Sequence, residues 1–157
     1  MSAPEEYMHE AIRLAAEGVA RGDGGPFGAL VVKDGEIVGR GWNRVVTDQD
    51  PTAHAEMVAI REATRRLGVW HLEGCELYTS CEPCPMCLSA AYWAHIGRIY
   101  YAASEADAAA IGFDDGAIRE ELARPSEARH LPRQQLLRQQ ALKVFAAWVQ
   151  SPLKRPY

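Results

Sequence analysis

Two short runs constrain this chain more than anything else in it. The first reads Thr52-Ala53-His54-Ala55-Glu56 and the second Cys81-Glu82-Pro83-Cys84-Pro85-Met86-Cys87. Pro83 and Pro85 flank Cys84, and proline is tolerated in a helix only at its start. Cys84 therefore stands at a helix N-terminus, with Cys87 one turn later on the same face. His54 likewise opens a helix, just after Pro51-Thr52. If the imidazole and the two thiols serve one purpose, the fold must bring two helix N-termini together. Helix dipoles and free N–H groups there favour thiolate over thiol. One imidazole nitrogen and two thiolates make three protein ligands for one Zn²⁺ per chain. A fourth position is left for water, as a catalytic zinc site needs.

Other uses of these cysteines fit less well. C-x-x-C alone also serves redox dithiols, but that use leaves His54 and Glu56 without a role. Cys81, Cys84 and Cys87 have the spacing of iron–sulfur ligands, yet Leu88-Ser89-Ala90-Ala91 supplies no fourth cysteine. H-x-E followed by P-C-x-x-C is the signature of zinc-dependent nucleobase deaminases. A zinc ion with two thiolates and a neutral imidazole is formally neutral and acidifies water weakly. A nearby base must then take the proton, and Glu56 is the candidate. Taken alone, Glu56 would read as a first-turn acid placed for the helix dipole. Cys75 and Cys81 read as buried thiols on or beside a strand.

The length of 157 residues predicts one domain, 1–157, with a real core. No apolar run approaches a membrane span, and Glu5, Glu6 and Glu10 are not the start of a signal peptide. Four cysteines in such a chain suggest metal binding in a reducing, cytoplasmic compartment. A net charge of −4 disfavours nucleic acid as a partner. The balance is uneven, however. Residues 124–157 carry Arg124, Arg129, Arg133, Arg138, Lys143, Lys154 and Arg155 against Glu127 alone. Such a tail can grip RNA, or lie against an acidic body, its own or a partner's.

The elements follow from periodicity. Met8, Ala11, Ile12, Ala15 and Val19 make the apolar stripe of a helix over residues 5–20. Residues 27–32 and 36–43 form two strands joined by the hairpin signal Asp34-Gly35. A loop over 45–51 leads to a helix over 52–67. A strand at 76–80, a nearly all-apolar helix at 85–94 and a strand at 98–103 imply a parallel crossover. The metal loop then lies at the carboxyl end of a strand, where open α/β sheets bind ligands. Short helices are expected at 107–111 and 118–123. Beyond Gln134, Leu137, Ala141, Val144, Phe145 and Trp148 form a helical stripe whose start reads equally as a short strand.

The runs around His54 and Cys84 resemble the cytidine-deaminase-like superfamily, and the chain more narrowly resembles its bacterial guanine deaminases. The narrower likeness rests on Gly24-Gly25-Pro26-Phe27-Gly28-Ala29, Asp50 to Glu56, Ala91-Tyr92-Trp93-Ala94, Gly112-Phe113-Asp114-Asp115 and the terminal Lys154-Arg155-Pro156-Tyr157. It implies a three-layer α/β/α sandwich around a five-stranded mixed sheet. It also implies a homodimer whose C-terminal segment, from about 133 to 157, exchanges between subunits. The reaction it implies is hydrolytic deamination of guanine to xanthine and ammonia. Phe27, Asn43, Ala55 and Trp93 would then line the base pocket. Asp115 would face the purine as contact and proton shuttle, and Tyr157 would arrive from the other subunit.

The residues themselves allow plainer roles. Phe27 and Trp93 could pack a core instead of stacking on a base, and Asp114 or Asp115 could cap a helix. Three function classes stay open. A free-base deaminase fits best. A tRNA adenosine deaminase shares His54, Glu56, Cys84 and Cys87, but the segment Ser104 to Ile111 is acidic and lacks lysine. A non-enzymatic zinc-stabilised module leaves Glu56 unexplained. A nucleoside or another aminated heterocycle could take the place of guanine.

Overall fold

The computed structural model describes residues 1–157, which divide into two compact units, Met1–Glu120 and Glu121–Tyr157. In the first unit, α1 (Ala3–Arg21) leads to β1 (Gly28–Lys33) and β2 (Glu36–Trp42). Ser2 and Glu5 form a capping box at the start of α1, and Gly22 closes it at φ 72°. The hairpin turns at Asp34 and Gly35, both at positive φ (50° and 81°) as a tight two-residue turn demands. There follow α2 (Ala55–Leu67), β3 (Cys75–Cys81), α3 (Pro85–Trp93), β4 (Arg98–Ala103) and α4 (Glu105–Ala110). Helix α5 (Gly116–Ala123) comes next.

The sheet order is β2-β1-β3-β4. Strand β1 pairs antiparallel with β2 and β3, while β3 and β4 run parallel across the α3 crossover. Alternation along the strands sorts the core into two faces. Ala29, Val31 and Leu77 pack with Ala55, Ala59, Ala63 and Ala91 of α2 and α3. Leu30, Val32 and Tyr78 pack with Ala11 of α1. The layers are thus helix, sheet, helix, as expected. Close approach seats α2 on β2. A Cβ at Gly41 would lie 2.4 Å from Ala55 O, and one at Gly39 2.3 Å from Ala59 O. Only glycine lets the first turn of α2, which follows His54, lie so near the sheet.

The sheet has four strands, not the expected five. The fifth had to come from the residues after Pro132, and 132–137 carry no strand. Pro132 has no N–H to give a ladder, and Leu137 sits at φ 52° as the N-cap of the following helix. The helical stripe forms from Arg138 onward as α6 (Arg138–Gln150), while 133–137 are neither strand nor helix.

In the second unit, Arg129 donates to the Glu121 carbonyl at 3.0 Å and His130 N–H to the Glu121 carboxylate at 2.8 Å. The α6 stripe has no buried residue; Val144 and Phe145 are about two-thirds exposed. No helix of the protein is long and apolar enough to cross a membrane.

Candidate active site

Two helix starts build the centre. Asp50 Oδ1 accepts from both the backbone N–H and the hydroxyl of Thr52, at 2.8 and 2.7 Å, and tightens the turn before α2. His54 is the N-cap of α2 in extended backbone. Cys84 is the N-cap of α3, with Pro85 in the first turn. Cys87 follows one turn later and is fully buried. His54 Nδ1 lies 3.4 Å from Cys84 Sγ and 3.5 Å from Cys87 Sγ.

The donor set fits zinc. Zn–N of about 2.0–2.1 Å and Zn–S of about 2.3 Å in a tetrahedron place ligand atoms roughly 3.5 Å apart. The three donor atoms of His54, Cys84 and Cys87 lie within 4.8 Å of one another. A bond from Cys87 holds the Cys84 thiol down to about 4, helped by His54. The same bond and burial push Cys87 up. The Cys84 sulfur in turn raises His54.

Glu56 lies in the first turn of α2 and is 6 % exposed. Burial raises its carboxyl above the ordinary glutamate range, with the Cys84 charge adding to the rise. A carboxyl held above its ordinary range and placed beside the three donor atoms is suited to take up a proton, as a general base must.

A cavity of about 440 Å³ opens on this centre and is lined by His54, Glu56 and Cys84. Phe27, Asn43 and Asp115 line it too. Phe27 meets Phe113 edge-on at 5.0 Å. Asn43 is buried, and its Oδ1 accepts from Val45 N–H at 3.1 Å, which leaves the amide donors facing elsewhere. Asp114 and Asp115 separate: Asp114 accepts from Gly116 N–H at 2.8 Å in a local turn, while Asp115 turns to the cavity.

Other expected residues stand apart. Ala55 is fully buried in the core, and Trp93, 66 % exposed, ends α3; neither lines the cavity. Tyr157 belongs to the second unit and is largely exposed. Cys75 and Cys81 are buried thiols, although Cys81 also reaches the cavity wall.

Sequence reasoning missed three contributors. Phe113 lies in the run Gly112 to Asp115, but nothing in that run gives its ring a role. Arg119 pairs with Asp115, and its i+4 spacing on a helix was the available signal. Asp23 had none. Its carboxylate accepts from Trp42 Nε1 at 2.7 Å and Thr47 Oγ1 at 2.5 Å, and so fixes the loop that follows Asn43.

The chain is similar to known proteins. The family described as the cytidine and deoxycytidylate deaminase zinc-binding region matches residues 1–103. Guanine deaminase of Bacillus subtilis (strain 168) is 50% identical over 153 residues, 98% of each chain. A crystal structure of guanine deaminase from Bacillus subtilis superposes with a TM-score of 0.94, also at 50% identity and 98% coverage of each chain. A tRNA-specific adenosine deaminase of Aquifex aeolicus (strain VF5) is 46% identical over 99 residues, 63% of this chain and 65% of its own.

Proposed function

The chain belongs to the cytidine and deoxycytidylate deaminase zinc-binding family, and from that membership we propose that it is a zinc-dependent hydrolase converting guanine and water to xanthine and ammonia. One observation carries the choice of guanine. The likeness to a guanine deaminase runs through 98% of both chains, whereas that to the tRNA deaminase of Aquifex aeolicus spans 63% of this one. Phe113, Asp115 and the whole second unit lie beyond the residues, 1–103, that match the general family.

His54, Cys84 and Cys87 would hold the zinc. When bound, the ion supplies Lewis acidity that lowers the pKa of the attacking water. Glu56 takes one proton from the attacking water and delivers it to a ring nitrogen; the remaining hydroxyl proton then passes to the departing amine, so that ammonia leaves neutral as the carbonyl forms. Asn43, with its carbonyl engaged, offers its amide N–H groups to acceptors on the purine edge. Asp115 accepts purine N–H groups and can shuttle a second proton. Phe27 gives a flat face to the base. Ala55 backs the pocket from the core side.

We further assign the protein to a homodimer in which the segment from about 133 to 157 exchanges between subunits, each domain spanning 1–157. The exposed α6 stripe supports this, because a helix with a bare apolar face needs a partner. So does β4, the edge strand of the sheet, whose residues are intermediate to exposed. In that assembly Tyr157 completes the partner's site, and Trp93 meets the base there. The chemistry suits a reducing, cytoplasmic setting.

Ammonia release measured across guanine, guanosine, adenine, cytosine, cytidine and a tRNA anticodon stem tests the reading. Release from guanine well above the rest is expected. Release from the anticodon stem alone would instead identify a tRNA adenosine deaminase, with the basic tail as its grip.

A further inference from the structure

Arg119 stands one turn along α5 from Asp115. Its Nε and Nη2 donate to Oδ1 and Oδ2 of Asp115, each at 3.2 Å, as a parallel fork. Nη2 also donates to the carbonyl of Pro83 at 3.2 Å, and Pro83 immediately precedes Cys84. Nε lies 2.7 Å from Glu105 Oε2 at the start of α4. One guanidinium thus ties three separate segments together: α5, α4 and the loop that leads into the thiolate helix.

An ordinary surface ion pair contributes little. This one differs in three respects. It is bidentate, its acid is only 18 % exposed, and its third bond goes to backbone next to a candidate metal ligand. The fork also leaves capacity on Asp115. Each carboxylate oxygen has a second lone-pair direction open to a purine N–H. Without the guanidinium, Asp115 and Glu105, which now share Nε, would stand near each other as unpaired like charges.

Resting on the reading of Asp115 as the acid that meets the base, we propose that Arg119 is a positioning residue for deamination. It sets the angle of the Asp115 carboxylate and registers it against the Cys84 loop. It touches neither water nor base and acts only through Asp115.

The test is a double-mutant cycle on zinc-loaded enzyme with guanine as substrate. Arg119→Gln should lower kcat/KM about ten- to a hundredfold, the usual loss when the support of a site residue is removed, while keeping zinc content. Arg119→Lys should recover only part, because it keeps the charge and loses the fork. In an Asp115→Ala background, Arg119→Gln should cost nothing more. A purely structural arginine would instead give losses that multiply. Multiplying losses, or wild-type kinetics in Arg119→Gln beside a damaged Asp115→Ala, overturn the inference alone. Wild-type kinetics in Asp115→Ala removes the underlying reading of Asp115 as well. Should Arg119→Gln fail to fold, the same cycle run with Arg119→Lys separates the same outcomes.

Discussion

A Cβ at Gly24 would lie 2.1 Å from Oδ1 of Asn43. No real contact is that short, so the glycine and the asparagine define one another: the bare α-carbon lets the amide turn back to Val45 N–H. Gly24→Ala should therefore displace Asn43 and leave the zinc ligands alone. We expect at least a tenfold fall in kcat/KM for guanine, carried mainly by KM, with about one zinc per chain retained. Loss of a buried polar partner typically costs about 1–3 kcal/mol, which sets that scale. Steady-state kinetics with metal analysis checks it, and unchanged KM would remove Asn43 from the pocket.

Proton handling and metal binding should separate by mutation. Glu56→Gln keeps the fold and the zinc and loses turnover by about 10²–10⁴-fold or more. His54→Ala and Cys84→Ala lose the metal as well. A strong chelator should abolish activity reversibly and lower the melting temperature, since a bound ion stabilises only the folded chain. Measurable activity in metal-free Cys84→Ala would contradict the assignment.

Asp23 gives a pH signature away from the metal. The Thr47 hydroxyl, then the Trp42 indole, hold its carboxyl below the ordinary aspartate value of 3.8. A lowered folded value means stability present above the ordinary value and lost as the pH falls through the folded one. Asp23→Asn should thus flatten the loss of stability on acidification below about pH 4, and at neutral pH melt earlier than the wild type. Denaturant midpoints measured from pH 3 to 7 test both. An unchanged acid limb would mean the loop is held by something else.

The metal centre was legible in the sequence because each of its two halves is a short local pattern, although the fold brings His54 and the cysteines together from separate helices. Prolines fix where α3 begins, and a one-turn spacing puts Cys87 beside Cys84. The hairpin at Asp34-Gly35 and the strand at 98–103 were legible for the same reason. That the sheet stops at four strands was not legible, because Leu137 turns the chain at positive φ where a strand pattern and a helix pattern overlap. Asp23 was not legible either. Its partners Trp42 and Thr47 are brought to it by the hairpin, and no spacing along the chain announces that.

Exchange of the C-terminal segment predicts a specific rescue. Deleting Leu153 to Tyr157 should leave zinc binding and melting temperature nearly intact, because α6 ends at Gln150. Turnover should fall to a small fraction. Co-refolding that deletion with full-length Glu56→Gln should restore part of the activity. The truncated chain then has an intact Glu56 and receives a tail from its partner. A mixture as inactive as its parts would mean that the tail closes its own subunit.

Hydrolytic deamination of a free purine base leaves a mark in its product, because the new oxygen comes from water. Zinc-loaded enzyme is given guanine in ¹⁸O-labelled water, and the products are separated and weighed by mass spectrometry. Xanthine carrying one labelled oxygen and one equivalent of ammonia are expected for each guanine consumed, with neither from Glu56→Gln. Guanine recovered unchanged, while adenosine in a tRNA anticodon stem becomes inosine under the same conditions, would contradict the assignment of a free-base deaminase.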